Sequence, residues 1–311
     1  MIRYRPILFI TIFIVLLMTF ILFVRQGKVS GDIDYNDEML DVTGPGTETV
    51  SYGMYEPEGK LLDTLDIGLI KNNQINKVLS FSHYIDADRK YTLFLLANFN
   101  QIAFSADHHR PAKSYTFEMT KDQVMTLPIK ATLPKDVGEI AFIIVPEAKY
   151  HLKDSHIDIA TGIQENYIMR FITKKASSHH IRSEFSPIYK TDELTGEEIF
   201  MASGKVSNKV LYTSKSQMPV YLQVDNTSKE KMMNYALVAF SEFDQQKFNG
   251  NHVIYVTVES GKTNVYQIKL PKVKKEKNFQ VIAFPAPFDN STKFEEVNFR
   301  GYSSIRTLIQ P

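Results

Sequence analysis

Hydrophobic and polar positions divide the chain into two regimes. Ile7 to Val24 is a run of eighteen uncharged residues in which only Thr11 and Thr19 are polar. At about 1.5 Å per residue a helix over 7–24 spans roughly 27 Å, close to the hydrocarbon thickness of a bilayer. The run is longer than the apolar core of a cleaved secretory signal, and Val24-Arg25-Gln26-Gly27-Lys28 offers no Ala-x-Ala cleavage site. Residues 1–28 are therefore expected to be an uncleaved membrane anchor. The amino terminus, Arg3 and Arg5 face Arg25 and Lys28 across it. That small excess of positive charge places the amino terminus inside and everything after residue 28 outside, a single-pass type II arrangement in the cell membrane.

Beyond residue 30 no stretch carries a sustained helical period with capping signals. Apolar positions come instead in short runs, such as Tyr91 to Ala97, Ala141 to Val145, His252 to Val258 and Val265 to Leu270. These are β-branched or aromatic and are bounded by Asn, Asp, Gly or Pro, which predicts strands. The turn Glu259-Ser260-Gly261-Lys262 between two of them predicts a hairpin.

Self-similarity organises these strands. Asn76-Lys77-Val78-Leu79 returns as Asn208-Lys209-Val210-Leu211, and Tyr91 to Gln101 returns as Tyr235 to Gln245. Leu133-Pro134-Lys135, followed by Ile143 and Pro146, returns as Leu270-Pro271-Lys272, followed by Ile282 and Pro285. Met169-Arg170-Phe171-Ile172 resembles Ile305-Arg306-Thr307-Leu308. Four colinear matches predict a duplicated unit, with repeat one over 50–175, a linker over 176–184 and repeat two over 185–311. The fold expected is all-β, two tandem immunoglobulin-like antiparallel β-sandwich domains. The analogy is architectural only, since the tryptophan and cysteine pair of antibody domains are absent.

Charge changes the picture locally. The whole chain is near neutral at +1, but Val29 to Leu69 holds ten acidic residues against Lys60 alone, a local charge of −9. Residues 29–49 then read as a solvated acidic stalk that anionic headgroups repel. Asp32, Asp34, Asp37 and Glu38 are oxygen-rich but lack the glycine and distal glutamate of a calcium loop. Composition, 43% apolar and 23% charged, is that of a folded protein. Zero cysteines exclude disulfides, thiolate zinc sites and cysteine nucleophiles. Near-neutrality gives no reason to expect nucleic acid as a partner.

Candidate chemistry is sparse. Ser260-Gly261-Lys262-Thr263 resembles the tail of a phosphate-binding loop, but Val256 stands where its first glycine belongs. Histidines form three pairs: His108-His109 within Asp107-His108-His109-Arg110, His151 with His156, and His179-His180. Surface loops are the plain reading. The alternative is an envelope hydrolase or metal-dependent enzyme that uses His108, His109, His151 and His156 as ligands or acid–base groups. Lys272, Lys274 and Lys275 form a basic turn, solvated or in contact with an anionic polymer or lipid headgroup. The functional expectation is a membrane-anchored extracytoplasmic binding or scaffolding protein without catalysis or cofactor. Its partners would be the membrane, and an envelope protein or anionic wall polymer met through Asp107–Arg110, His151, His156 or the lysine turn.

Overall fold

In the computed structural model, residues 49–62, 65–68, 70–151, 166–176, 179, 181, 185–205, 209–289 and 301–311 are described. The anchor over 7–24, the stalk up to residue 48, and His156 and His180 lie outside them. Among the described residues no helix is long and apolar enough to cross a membrane. The described residues are all-β, and their strands form four sheets.

Sheet one runs β1 (Thr49–Tyr55), β2 (Gln74–Tyr84), β7 (Gln123–Thr132), β5 (Phe104–Ala106). Sheet two runs β4 (Asn100–Ile102), β3 (Arg89–Ala97), β8 (Glu139–Pro146), β9 (Tyr167–Ile172), with β6 (Ser114–Met119) also on β3. Sheet three is β12 (Thr213–Lys215), β20 (Thr307–Gln310), β18 (Lys277–Pro285), β14 (Met232–Ser241), β15 (Asp244–Gln246). To it β16 (Ile254–Glu259) adds on β14, and β19 (Tyr302–Ser303) on β18. Sheet four is β10 (Tyr189–Thr191), β17 (Thr263–Lys269), β13 (Pro219–Asp225), β11 (Ile199–Ala202).

Side-chain alternation assigns each face to a core. Sheets one and two enclose a core that includes Leu79, Phe81, Tyr91, Leu93, Leu95, Ile129 and Phe142. Sheets four and three enclose another, with Leu222, Tyr235, Leu237, Tyr266, Ile268 and Val281. The opposite faces of β3, β8, β14 and β18 do not meet water. Phe94, Leu96, Ala141, Ile143 and Val145 join Ala236, Val238, Phe240, Ile282 and Phe284 in a third core shared by both halves. The layers therefore stack in the order one, two, three, four. Burying one such aromatic or aliphatic side chain contributes about 1.5–3 kcal/mol, more than the net value of a typical hydrogen bond. Apolar contact is thus the main cohesion between the halves, which belong to one compact unit, Leu40–Pro311.

Register repeats from one half to the other. Tyr91 stands opposite Pro146 and Tyr235 opposite Pro285. On their other edge the same tyrosines face Phe117 and Val256. Polar contacts across the shared core are also reciprocal. Arg170 Nη1 donates to Pro285 O at 2.8 Å, while Arg306 Nη2 donates to Pro146 O at 2.5 Å. Glu139, buried at the start of β8, accepts from Arg170 Nε at 2.6 Å and from the Phe288 amide at 2.8 Å. Asn278, at the start of β18, donates to Tyr150 O at 2.8 Å.

Two expectations need correction. The Asn76–Leu79 match does not mark equivalent strands: β2 pairs with β7, and the strand paired with β17 is β13, not residues 208–211. Those residues precede β12, so the likeness is compositional. The Glu259–Lys262 turn exists, with Lys262 N donating to Glu259 O and Gly261 at φ 70°. It does not close a hairpin, because β16 joins β14 while β17 joins β13 and β10. Local alternation defines a strand, but its partner is chosen by long-range packing. Two residues of the linker over 176–184 are packed. Ala176 is buried in the shared core, and the His179 ring stacks on Phe288 with centroids 4.4 Å apart.

Candidate functional site

A broad concavity lies on the outer face of sheet one. Because Ile75, Ile129, Ala131 and Phe104 point inward, their strand neighbours Gln74, Asn76, Lys130, Thr132 and Ser105 point out. Register sets these polar groups side by side: Gln74 opposite Thr132, and Asn76 and Ser105 each opposite Lys130. They floor a groove of about 1060 Å³ walled by Glu56-Pro57-Glu58 on one side and Pro111 on the other.

Local conformation builds its rim. Asn72 and Asn73 sit at φ 52° and 55°, left-handed conformations that asparagine tolerates, and this tight turn returns the chain from Lys71 to Gln74. Lys77, only 1% exposed, holds Glu56 through a 2.5 Å contact from Nζ to Oε1. Gly68 makes room for that pair, since a Cβ there would come within 2.5 Å of Glu56 Oε1. Glu56 is thus occupied, which leaves Glu58, Lys71 and Lys130 as the charged groups facing a ligand. Amide, hydroxyl, ammonium and carboxylate groups in this arrangement can donate and accept hydrogen bonds.

The residues singled out from sequence fall in separate places. Asp107, His108, His109 and Arg110 form an exposed turn after β5, Asp107 and His108 having φ of 45° and 62°. His109 N closes it on Ala106 O at 2.9 Å, and its ring lies 5.4 Å from that of Tyr115. Burial, and then the Asp107 carboxylate, push the Tyr115 phenol up. This turn leads into Pro111 and so borders the groove. His151 is elsewhere, half-buried at the seam of the halves, where its Nε2 donates to Glu242 Oε1 at 3.0 Å. Among the described residues no group of three or more His, Asp or Glu is placed to hold a metal. His179 Nε2 donates to Asp136 O at 2.9 Å, a structural contact. Lys272, Lys274 and Lys275 are exposed around buried Val273.

Two features escape a sequence reading. Groove residues Gln74, Asn76, Ser105, Lys130 and Thr132 carry no motif, and their only signal is the outward parity of their strands. His83 is wholly buried, with Nε2 donating to Ala87 O at 2.6 Å and Nδ1 accepting from the Tyr91 hydroxyl at 2.8 Å. Asn226 does the corresponding work in the second half, giving Nδ2 to Glu230 O at 3.1 Å. The groove is not mirrored so simply: beside β17 the place that β5 takes next to β7 is filled by β10.

No protein-family model matches the chain, and no curated protein matches its sequence. Among solved structures it is similar to a FixG-related protein from Vibrio parahaemolyticus, at 12% identity over 42% of this chain and 99% of that one, with a TM-score of 0.25. A PapD-like domain of human CEP192 matches at 13% identity over 42% and 89%, TM-score 0.20. The Salmonella enterica SafA pilin in complex with the SafB chaperone matches at 12% identity over 86% and 99%, TM-score 0.24. Likenesses this distant carry no argument about function.

Proposed function

We propose that this chain is a membrane-anchored, extracytoplasmic binding or scaffolding protein that catalyses no reaction. The helix over 7–24 tethers it, the acidic stalk over 29–49 spaces it from the bilayer, and two β-sandwich domains over 50–175 and 185–311 display its contact surfaces. The observation that carries the binding role is the groove on sheet one, floored by Gln74, Asn76, Lys130, Thr132 and Ser105. Its side chains stand on paired strands of a packed sheet, so their spacing is preset before a ligand arrives. A tether near the membrane raises the effective concentration of such a surface for envelope components.

The test is photocrosslinking in intact cells. A photoreactive residue in place of Asn76 should give a discrete adduct that Lys130→Glu weakens, whereas the same probe in place of Gln267 on sheet four should give none. Adducts equal at both positions, or none at Asn76, would overturn the groove as the binding site.

A further inference from the structure

A second concentration of polar chemistry lies at one end of sheets three and four, where two connections are pinned together. The turn after β12 is closed by Met218 N donating to Lys215 O at 3.3 Å. Within it, Ser216 N donates to Gln310 O at 2.6 Å, and the Ser216 hydroxyl donates to Pro271 O at 3.4 Å and accepts from Val273 N at 3.1 Å. Leu270 N reaches back to Met218 O at 3.0 Å. These bonds hold the connection from β17 to β18 against the β12 turn.

Lys215, Lys269, Lys272, Lys274, Lys275 and Lys277 are gathered by that junction, five exposed and Lys277 half-buried. Buried Val273 anchors the connection, and Lys272 and Lys274 flank it. The stretch contains one carboxylate, Glu276, whose Oε1 accepts from Gln310 Nε2 at 3.3 Å. Among the described residues none of the six lysines is in a salt bridge, whereas Lys121, Lys190 and Lys262 elsewhere each meet an aspartate or glutamate. Six ammonium groups are thus held at one end of the fold without a salt bridge to any described carboxylate.

We infer that this basic end is a docking surface for a linear polyol-phosphate polymer. The inference rests on the binding role proposed above and adds the chemistry of a partner. Lysine presents a point charge without the bidentate fork of arginine, so the surface reads repeated negative charge instead of a fixed phosphate geometry. Segments 213–219 and 269–277 contain no aromatic residue on which a base could stack, which argues against single-stranded nucleic acid. The bilayer is disfavoured because six acidic residues, Asp32, Asp34, Asp37, Glu38, Asp41 and Glu48, lie in sequence between the apolar run and β1, and anionic headgroups repel them.

The purified full chain is titrated with poly(glycerol phosphate) at several salt concentrations. Combined Lys272→Gln, Lys274→Gln and Lys275→Gln should lower affinity at least about tenfold. The slope of log affinity against log salt should fall by about 2, at roughly 0.7 per lost phosphate contact on a single-stranded polyanion. Lys190→Gln, Lys205→Gln and Lys262→Gln together remove the same charge away from this end and should leave both quantities nearly unchanged. The assignment is overturned if the polymer does not bind, if the control triple weakens it equally, or if single-stranded DNA or phosphatidylglycerol vesicles bind as tightly. Failure here with the Asn76 adduct retained removes the polymer and leaves the binding role; failure of both removes both.

Discussion

Gln101 and Gln245 bind each other's backbone. Gln101 N donates to Gln245 Oε1 at 2.7 Å, and Gln245 N donates to Gln101 Oε1 at 2.9 Å. Their amide nitrogens continue the exchange, Gln101 to Phe243 O at 3.1 Å and Gln245 to Phe99 O at 2.8 Å. Contacts that read the same in both directions define an isologous interface. An approximate two-fold axis therefore runs between these glutamines, with Arg170–Pro285 and Arg306–Pro146 disposed about it. The shared core has the geometry of a symmetric dimer built within one chain.

Truncating either glutamine should cost the same. Gln101→Ala and Gln245→Ala each delete two side-chain bonds across the seam and orphan a backbone amide, for an expected loss of about 1–3 kcal/mol. Urea unfolding should show the double variant to be less destabilised than the sum of the singles. Strict additivity would mean that the pair is not coupled.

Gly138 is needed for space. A Cβ there would stand 2.6 Å from His179 Cδ2 and 3.0 Å from Phe288 Cδ1. Gly138→Ala should therefore cost about 1–3 kcal/mol through overpacking. Adding His179→Ala should return part of that loss, which thermal unfolding of the single and double variants will reveal.

Alkali should unfold the protein from about pH 10 upward. Burial raises the phenols of Tyr91 and Tyr235, and pushes Tyr266 up to about 12. A raised folded pKa contributes stability that is complete below the unfolded tyrosine value of about 10 and is lost as pH passes through the folded value. Arg306, lowered by burial to about 10, acts in the opposite direction, but it is one group against three. Phenolate absorbance should show a subset of the sixteen tyrosines ionising only together with loss of the fold.

Topology gives a fourth expectation. Protease added to spheroplasts should degrade the region after Val29 while the intact chain sediments with membranes. Release of a soluble form beginning near Ser30, or protection of the β-rich region, would contradict the type II arrangement.

Much of the strand pattern can be read directly, and the layering more than it first suggests. Tyr91 to Ala97 and Ala141 to Val145 are almost unbroken apolar runs in antiparallel strands, where alternation is the norm. Such a run means burial on both faces, hence a middle layer, and β3 and β8 occupy one. β7 alternates, as a sheet with one wet face requires. Pairing is less legible. The Glu259–Lys262 turn has hairpin chemistry, yet its strands enter different sheets, because β16 is held by Tyr235 and its neighbours on β14. The groove is silent in sequence for a different reason: Gln74, Asn76 and Thr132 are ordinary surface residues until register places them together.

Sharing a core between the two halves has a consequence for biosynthesis. A ribosome completes β3 and β8 long before β14 and β18 exist, so Phe94, Leu96, Ile143 and Val145 form an apolar face with nothing yet to cover it. For that interval the nascent first half is sticky. Its natural cover is the second half of the same chain, but the approximate two-fold means that a neighbouring chain's first half offers a similar surface. Crowded synthesis would then produce mispaired chains joined through this face, a concentration-dependent fault that dilution during expression should relieve.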